Sequence, residues 1–113
     1  MSNVTIVKII SATAYEFGVT DSDITGPSRQ DVFTRPRFVV CAIAHDSGFS
    51  FPQIGKRLGN RDHTTIINAA RRAIEVSVRD TSFRESYQRL RDALLGNYAK
   101  ADKWQFISIR SEK

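Results

Sequence analysis

The chain has 113 residues, 41% hydrophobic and 26% charged, with 17 basic against 12 acidic side chains and a net charge of +5. That suits one domain with a modest core, argues against disorder, and points to an acidic partner, nucleic acid first. A single cysteine excludes an internal disulfide framework, no apolar run reaches membrane-spanning length, and the first residues lack the basic n-region and cleavage site of a secretory signal, so a reducing cytoplasm is the expected setting.

Val4, Val7, Ile10, Ala14 and Phe17 recur at helical spacing, with Asn3 as the expected cap and Gly18 as the stop. Thr20 to Gly26 reads as a cap, one short helical turn and an exit, followed by a loop over Gly26-Pro27-Ser28-Arg29. Ser28 and Asp31 have capping-box spacing for the next element. Its apolar pattern runs through Val32, Phe33, Val39, Val40 and Ile43 to Ala44. Pro36 interrupts it and leaves two readings: one helix bent near Pro36, or two helices meeting there. Cys41 lies in the apolar run from Phe38 to Ala44 and is expected to be a buried, inert thiol.

Ser47-Gly48-Phe49 breaks the chain, and Ser50 or Phe51 starts a short helix with Pro52 in its first turn, where proline is tolerated. Ile54 and Leu58 point inward, and Gly55 is small enough for a close helix crossing. After the tight turn Gly59-Asn60-Arg61, Asp62 caps a longer helix with an expected inward stripe of Ile66, Ile67, Ala70, Ile74 and Val78. A short helix, a glycine-containing turn and a second helix make a helix-turn-helix pattern. Ser82 and Glu85 are the expected capping box of a last helix carrying Phe83, Tyr87, Leu90 and Leu94, ended by Gly96-Asn97. The expected fold class is all-α, a compact helical bundle, with a domain over residues 1–99 and a tail over residues 100–113. The tail is polar apart from Trp104, Phe106, Ile107 and Ile109. It suits either packing back on the domain or a docking edge for a protein partner or a second copy.

The block Arg61-Asp62-His63-Thr64-Thr65-Ile66-Ile67 carries the most chemistry. Short polar side chains on a first helical turn project toward base edges, while the capped amides and the positive helix end face phosphate. The plain alternative is a helix cap with exposed threonines. The other histidine, His45, falls on a different helix and Cys41 in an apolar run, so no metal-ligand spacing exists. Asp62 and His63 are adjacent on one turn and do not face each other, and no nucleophile is placed opposite them. No catalytic residue, metal or cofactor is expected, and the chain does not read as an enzyme.

Ser50-Phe51-Pro52-Gln53-Ile54-Gly55, followed by Gly59-Asn60-Arg61-Asp62-His63-Thr64-Thr65-Ile66, resembles the C-terminal DNA-binding domain of the bacterial replication initiator DnaA. That family carries Ser-Leu-Pro-Glu-Ile-Gly and then Gly-Gly-Arg-Asp-His-Thr-Thr-Val. The likeness reaches back through Arg35-Pro36-Arg37, Asp23-Ile24 and Phe17-Gly18-Val19. It implies a helix-turn-helix of Trp-repressor-like build that reads a short asymmetric box in double-stranded DNA. By the resemblance, Arg61 belongs to the reading block, Asp62, His63, Thr64 and Thr65 face bases in the major groove, and Ala69 lies close to DNA farther along. Phe51 and Pro52 match positions beside the phosphate backbone, Arg37 a backbone-contacting arginine, and Arg29 an arginine that enters the minor groove. The chemistry agrees: His meets a base edge or a thymine methyl, Asp accepts from a cytosine amino group, Thr offers a methyl or hydroxyl, and arginine suits a narrow minor groove.

The sequence departs from the family pattern in three places. The loop Gly26 to Asp31 holds one arginine and an acid where several basic residues are usual, Phe38 replaces a polar residue that helps at the backbone, and the loop before Ser50 is one residue shorter. Weaker minor-groove anchoring or a changed sequence preference is expected. The phosphate-binding element Gly-x-x-x-x-Gly-Lys-Ser/Thr is absent, so no nucleotide is expected. Read as complete from Met1, the chain is expected to be the reading head alone, nucleoid-associated, regulating replication initiation or transcription by site occupancy. The alternative is a protein-interaction module that keeps the fold and has lost DNA affinity. Arg71, Arg72 and Arg79 either continue a phosphate-facing stripe or lie on a solvated face, and one of Lys56 and Arg57 is expected at phosphate.

Overall fold

In the computed structural model, which describes residues 4–95, the helix ends are set by local side-chain chemistry. The Thr5 hydroxyl accepts the Lys8 N–H at 3.1 Å, so α1 runs Ile6–Phe17 and its cap is Thr5 rather than the expected Asn3. Gly18 stops it as expected: at φ 71° its N–H returns to the carbonyls of Ala14 and Tyr15. Thr20 and Asp23 form a reciprocal capping box on α2 (Asp21–Thr25). α3 (Asp31–Asp46) is continuous, with Pro36 inside it, which decides between the two readings of that stretch. Val32, whose carbonyl Pro36 cannot bond, is itself exposed at the start of the helix. The Ser28–Asp31 box does not form. Gln30 is the N-cap without a side-chain bond, and the Ser28 hydroxyl instead accepts the Gln30 N–H at 3.3 Å.

Ser50 and Gln53 cap α4 (Phe51–Arg57) reciprocally, at 3.2 and 2.8 Å. α5 (His63–Arg79) is capped by Asp62, and α6 spans Thr81–Leu95. The expected Ser82–Glu85 box at α6 is replaced by Asp80. That residue ends α5, accepts the Phe83 N–H at 3.0 Å with one carboxylate oxygen and pairs with Arg35 at 2.8 Å through the other. The Phe83 N–H, followed by the Arg35 guanidinium, holds the Asp80 carboxyl below the usual carboxylate range.

The core follows from one sequence feature. Val39, Val40, Cys41, Ala42, Ile43 and Ala44 are consecutive and buried, so this part of α3 has no solvent face. α3 is accordingly the central rod and touches each of the other five helices. Ile9 from α1, Ile24 from α2, Ile54 from α4, Leu58 just beyond it and Ile66 from α5 are fully buried around it. Each such side chain stabilises the fold by about 1.5–3 kcal/mol relative to exposure. Burial pushes the Cys41 thiol up to about 12 despite the pull of Arg61 and Arg37, as suits an inert core thiol.

α5 lies along α3 more extensively than any other helix pair, and its inward stripe differs from the expected one. Ile66, Ala69, Ala73, Val76 and Ser77 are buried, Ile67, Ala70 and Ile74 are half-buried, and Val78 is exposed. Small residues at 69 and 73 admit a close helix approach, which the larger apolar side chains would prevent. α6 buries Phe83, Tyr87 and Leu90 as expected, together with Arg91, whose guanidinium pairs with Asp46 and sits over the Tyr87 ring at 5.8 Å. Gly96-Asn97, the division at residues 99 and 100, and the apolar tail residues from Trp104 onward lie outside the described residues. Among the described residues there is no strand, and no helix is long and apolar enough to cross a membrane.

Candidate nucleic-acid interface

The joint between α4 and α5 is built from backbone. Gly59 and Asn60 both take left-handed φ values, 71° and 62°, which turns the chain sharply after Leu58. The Arg61 N–H then returns to the Gly55 carbonyl at 2.8 Å. A Cβ on Gly55 would stand 2.2 Å from the Arg61 carbonyl oxygen, so only glycine allows this approach. Asp62 starts α5: its carboxylate accepts the Thr64 N–H at 3.0 Å. That backbone bond, then one from the Thr64 hydroxyl, holds the Asp62 carboxyl below its ordinary range. Protonation removes the acceptor, so this cap is present above the ordinary carboxylate range and lost as pH falls through the lowered value.

With the cap in place, Asp62, His63, Thr64 and Thr65 all face solvent at the start of α5. His63 Nδ1 lies 3.8 Å from Asp62 Oδ1 with both side chains mostly exposed. The sequence expectation that these residues share a free helical edge therefore agrees with their placement. Asn68, one turn on, is exposed on the same side and was missed by sequence reasoning; its spacing of three from Thr65 was the available signal. Ala69 is only 8% exposed, and it belongs to the packing against α3 as well as to the wall of the cleft described next.

Beside this edge is an open cleft of about 850 Å³. One wall is α5, with Thr65, Asn68, Ala69 and Arg72; the other is the loop between α2 and α3, with Gly26, Pro27 and Arg29. Thr34, Arg37 and Phe38 of α3 form the floor. Arg29 is exposed at the lip of the loop. Asp31, the acid counted against this loop, lines a different hollow with Arg35, Asp80 and Glu16.

Two arginines hold the loop to the helix-turn-helix. Arg37 is buried; its Nε donates to the Ile24 carbonyl at 2.6 Å, Nη1 to Ser28 at 3.0 Å, and Nη2 to Asp23 at 3.1 Å and Gly26 at 3.0 Å. The structure thus directs Arg37 inward onto four carbonyls, not outward to a phosphate. Arg61 is also turned inward: Nη1 donates to Leu58 at 2.5 Å and Thr25 at 3.1 Å, and Nη2 to Gly26 at 2.5 Å. Burial, and then the charge of Arg61, lower the Arg37 pKa from its ordinary value. The two guanidinium groups place positive charge under the cleft.

Phe51 and Pro52 sit apart from this cleft, at the first turn of α4. Phe51 stacks face-on against His45 with 4.0 Å between ring centroids, and Pro52 is exposed. No cluster of three metal-ligating side chains occurs among the described residues.

Residues 6–73 match the family model for the bacterial DnaA protein helix-turn-helix, which is more than half of the chain. The chain belongs to the bacterial DnaA helix-turn-helix family. The curated relatives it resembles are chromosomal replication initiator proteins DnaA. That of Gluconobacter oxydans is 36% identical over 94 residues, covering 82% of this chain and 20% of the relative. Those of Cereibacter sphaeroides and Acinetobacter baumannii are 37% identical over 92 residues and 30% over 88, covering 80% and 77% of this chain and 20% and 19% of the relatives. The chain therefore spans about a fifth of the length of these relatives. The expected family and the expected all-α class both hold, and the match to this DNA-binding family takes in α4, the turn and most of α5.

Proposed function

We propose that this protein binds duplex DNA sequence-specifically at a site of DnaA-box type, and that it regulates replication initiation or transcription by occupying that site. The observation that carries the reading is the cleft between the exposed first turn of α5 and the Arg29 loop. In duplex DNA one sugar-phosphate strand separates a major groove from the adjacent minor groove. A strand seated over the cationic floor puts Asp62, His63, Thr64 and Thr65 into the major groove and Arg29 into the minor groove. The name of the relatives, chromosomal replication initiator, supplies the class of target. The deciding experiment is selection of bound duplexes from a random pool. Enrichment of initiator-type boxes supports the reading, and no preference for them over scrambled duplexes sinks it.

Within this reading His63 contacts a base. His63→Ala is expected to cost about 1–3 kcal/mol on the selected duplex and little on random DNA. It is exposed, so the fold should be unaffected. Fluorescence anisotropy on both duplexes checks this, and equal losses on the two would remove His63 from base reading.

Arg29 contributes groove and phosphate attraction without strong sequence choice. Arg29→Ala should weaken all duplexes and lower the slope of log affinity against log salt by about one unit. A titration between low and moderate salt measures it. An unchanged slope means that the α2–α3 loop does not approach DNA.

A further inference from the structure

We infer that Phe38 is a positioning residue for DNA binding: its ring holds the Arg72 guanidinium at the wall of the cleft, where Arg72 meets the phosphate strand. The inference rests on the proposed function and deepens it. Arg72 Cζ lies 5.5 Å from the Phe38 ring centroid, within cation–π range. Both residues line the same cleft as Arg29, Thr65 and Asn68. Phe38 is fixed, because it is half-buried and packs on the core from α3. Arg72 is half-exposed on α5, 56% by side chain, and would otherwise be a long, freely rotating cation.

The charge of Arg72 differs in availability from the two cations of the floor. Arg37 and Arg61 spend their donors on backbone carbonyls. Among the described residues Arg72 pairs with Glu75, at 3.6 Å on an exposed face, a weak pair that a phosphate can displace. An aromatic face attracts the cation without occupying its N–H groups, so the fork stays open to phosphate oxygens. The ring thereby lowers the ordering cost of the contact.

The test measures affinity for a random-sequence duplex across salt for the unaltered protein, Arg72→Met, Phe38→Leu, Phe38→Tyr and the double variant Phe38→Leu with Arg72→Met. Arg72→Met keeps the stem without the charge and should lower the salt slope by about one unit. Phe38→Leu should weaken binding about two- to five-fold, the worth of an exposed cation–π contact. Phe38→Tyr should retain affinity, and the double variant should bind no worse than Arg72→Met alone. Thermal melts separate packing loss from positioning: a Phe38→Leu protein that melts lower yet binds DNA with unchanged affinity overturns the inference. So does an unchanged slope for Arg72→Met, or additive losses in the double variant. If the unaltered protein binds no duplex at all, the proposed function fails and the inference with it, an outcome distinct from those three.

Discussion

Arg37→Ala is expected to lower the melting temperature by roughly 15–25 °C, and to weaken binding to every duplex alike. The guanidinium bonds the carbonyls of Asp23, Ile24, Gly26 and Ser28, and the side chain is buried. Alanine takes the donor from the carbonyls of Asp23, Ile24 and Ser28, while Gly26 keeps its bond from Arg61. A bond from a charged donor is worth about 1.5–3 kcal/mol, and a stranded buried acceptor adds a comparable penalty. The contributions are not additive, and about 3–4 kcal/mol is a fair total. At about 4–8 °C per kcal/mol this spans roughly 12–32 °C, and the quoted shift is its middle part. The control is Arg29→Ala, on an exposed side chain of the same loop, which should leave the melt nearly unchanged. A phosphate-binding role for Arg37 makes the opposite forecast: an unchanged melt and a salt slope lowered by about one unit. Calorimetry and a salt titration on the two proteins discriminate the alternatives.

Gly55→Ala is expected to be the other severe lesion, at about 3 kcal/mol or more, with loss of DNA binding. Two effects oppose each other here. Alanine in a helix is favoured over glycine by about 1 kcal/mol. Against that, the new Cβ would lie 2.2 Å from the Arg61 carbonyl oxygen, and that atom belongs to the backbone. The Arg61 backbone has little freedom to retreat. Its N–H is bonded to Gly55 and its guanidinium to the carbonyls of Thr25, Gly26 and Leu58. Relief would have to swing α5 away from α4, which moves the whole reading edge. A denaturant titration measures the outcome, and a stabilisation of the size that helix propensity alone predicts would contradict this account.

Features written into adjacent residues are legible in the sequence itself. Gly18 ends α1 and Asp62 caps α5, because each acts on N–H or carbonyl groups within a few positions, and of the two starts open for α4, Ser50 or Phe51, Ser50 is the cap. The exposed edge of Asp62 to Thr65 follows from the same local chemistry. Competing local caps also mislead, since Thr5 and not Asn3 caps α1 and Gln30 and not Ser28 starts α3, but most of what the sequence conceals depends on distant partners. Arg61 finds Thr25 and Gly26 across 36 and 35 positions, and Arg91 finds Asp46 across 45. Nothing local to an arginine says whether it turns toward carbonyls or toward solvent. The inward face of α5 is misplaced by periodicity for a related reason. Ile67, Ile74 and Val78 carry the apolar pattern, whereas the approach of α3 selects Ala69 and Ala73. Asp80 serves the ends of two helices because α6 begins immediately after α5 ends, at a position where only the fold brings Arg35 close.

The fastening of the α2–α3 loop by Arg37 and Arg61 has a consequence for how target preference can change. The atoms gripped at Gly26 and Ser28 are main-chain oxygens, which every residue possesses. The grip is therefore blind to the side chains outside it. Gly26 itself is constrained, since a Cβ there would meet the Ser22 carbonyl oxygen at 2.8 Å. Pro27 and Arg29 carry no such restriction: both are exposed, and their side chains hold no part of the clamp. The segment acts as an exchangeable cassette on a fixed mount, in which basic residues can be added or withdrawn while the reading helix keeps its place.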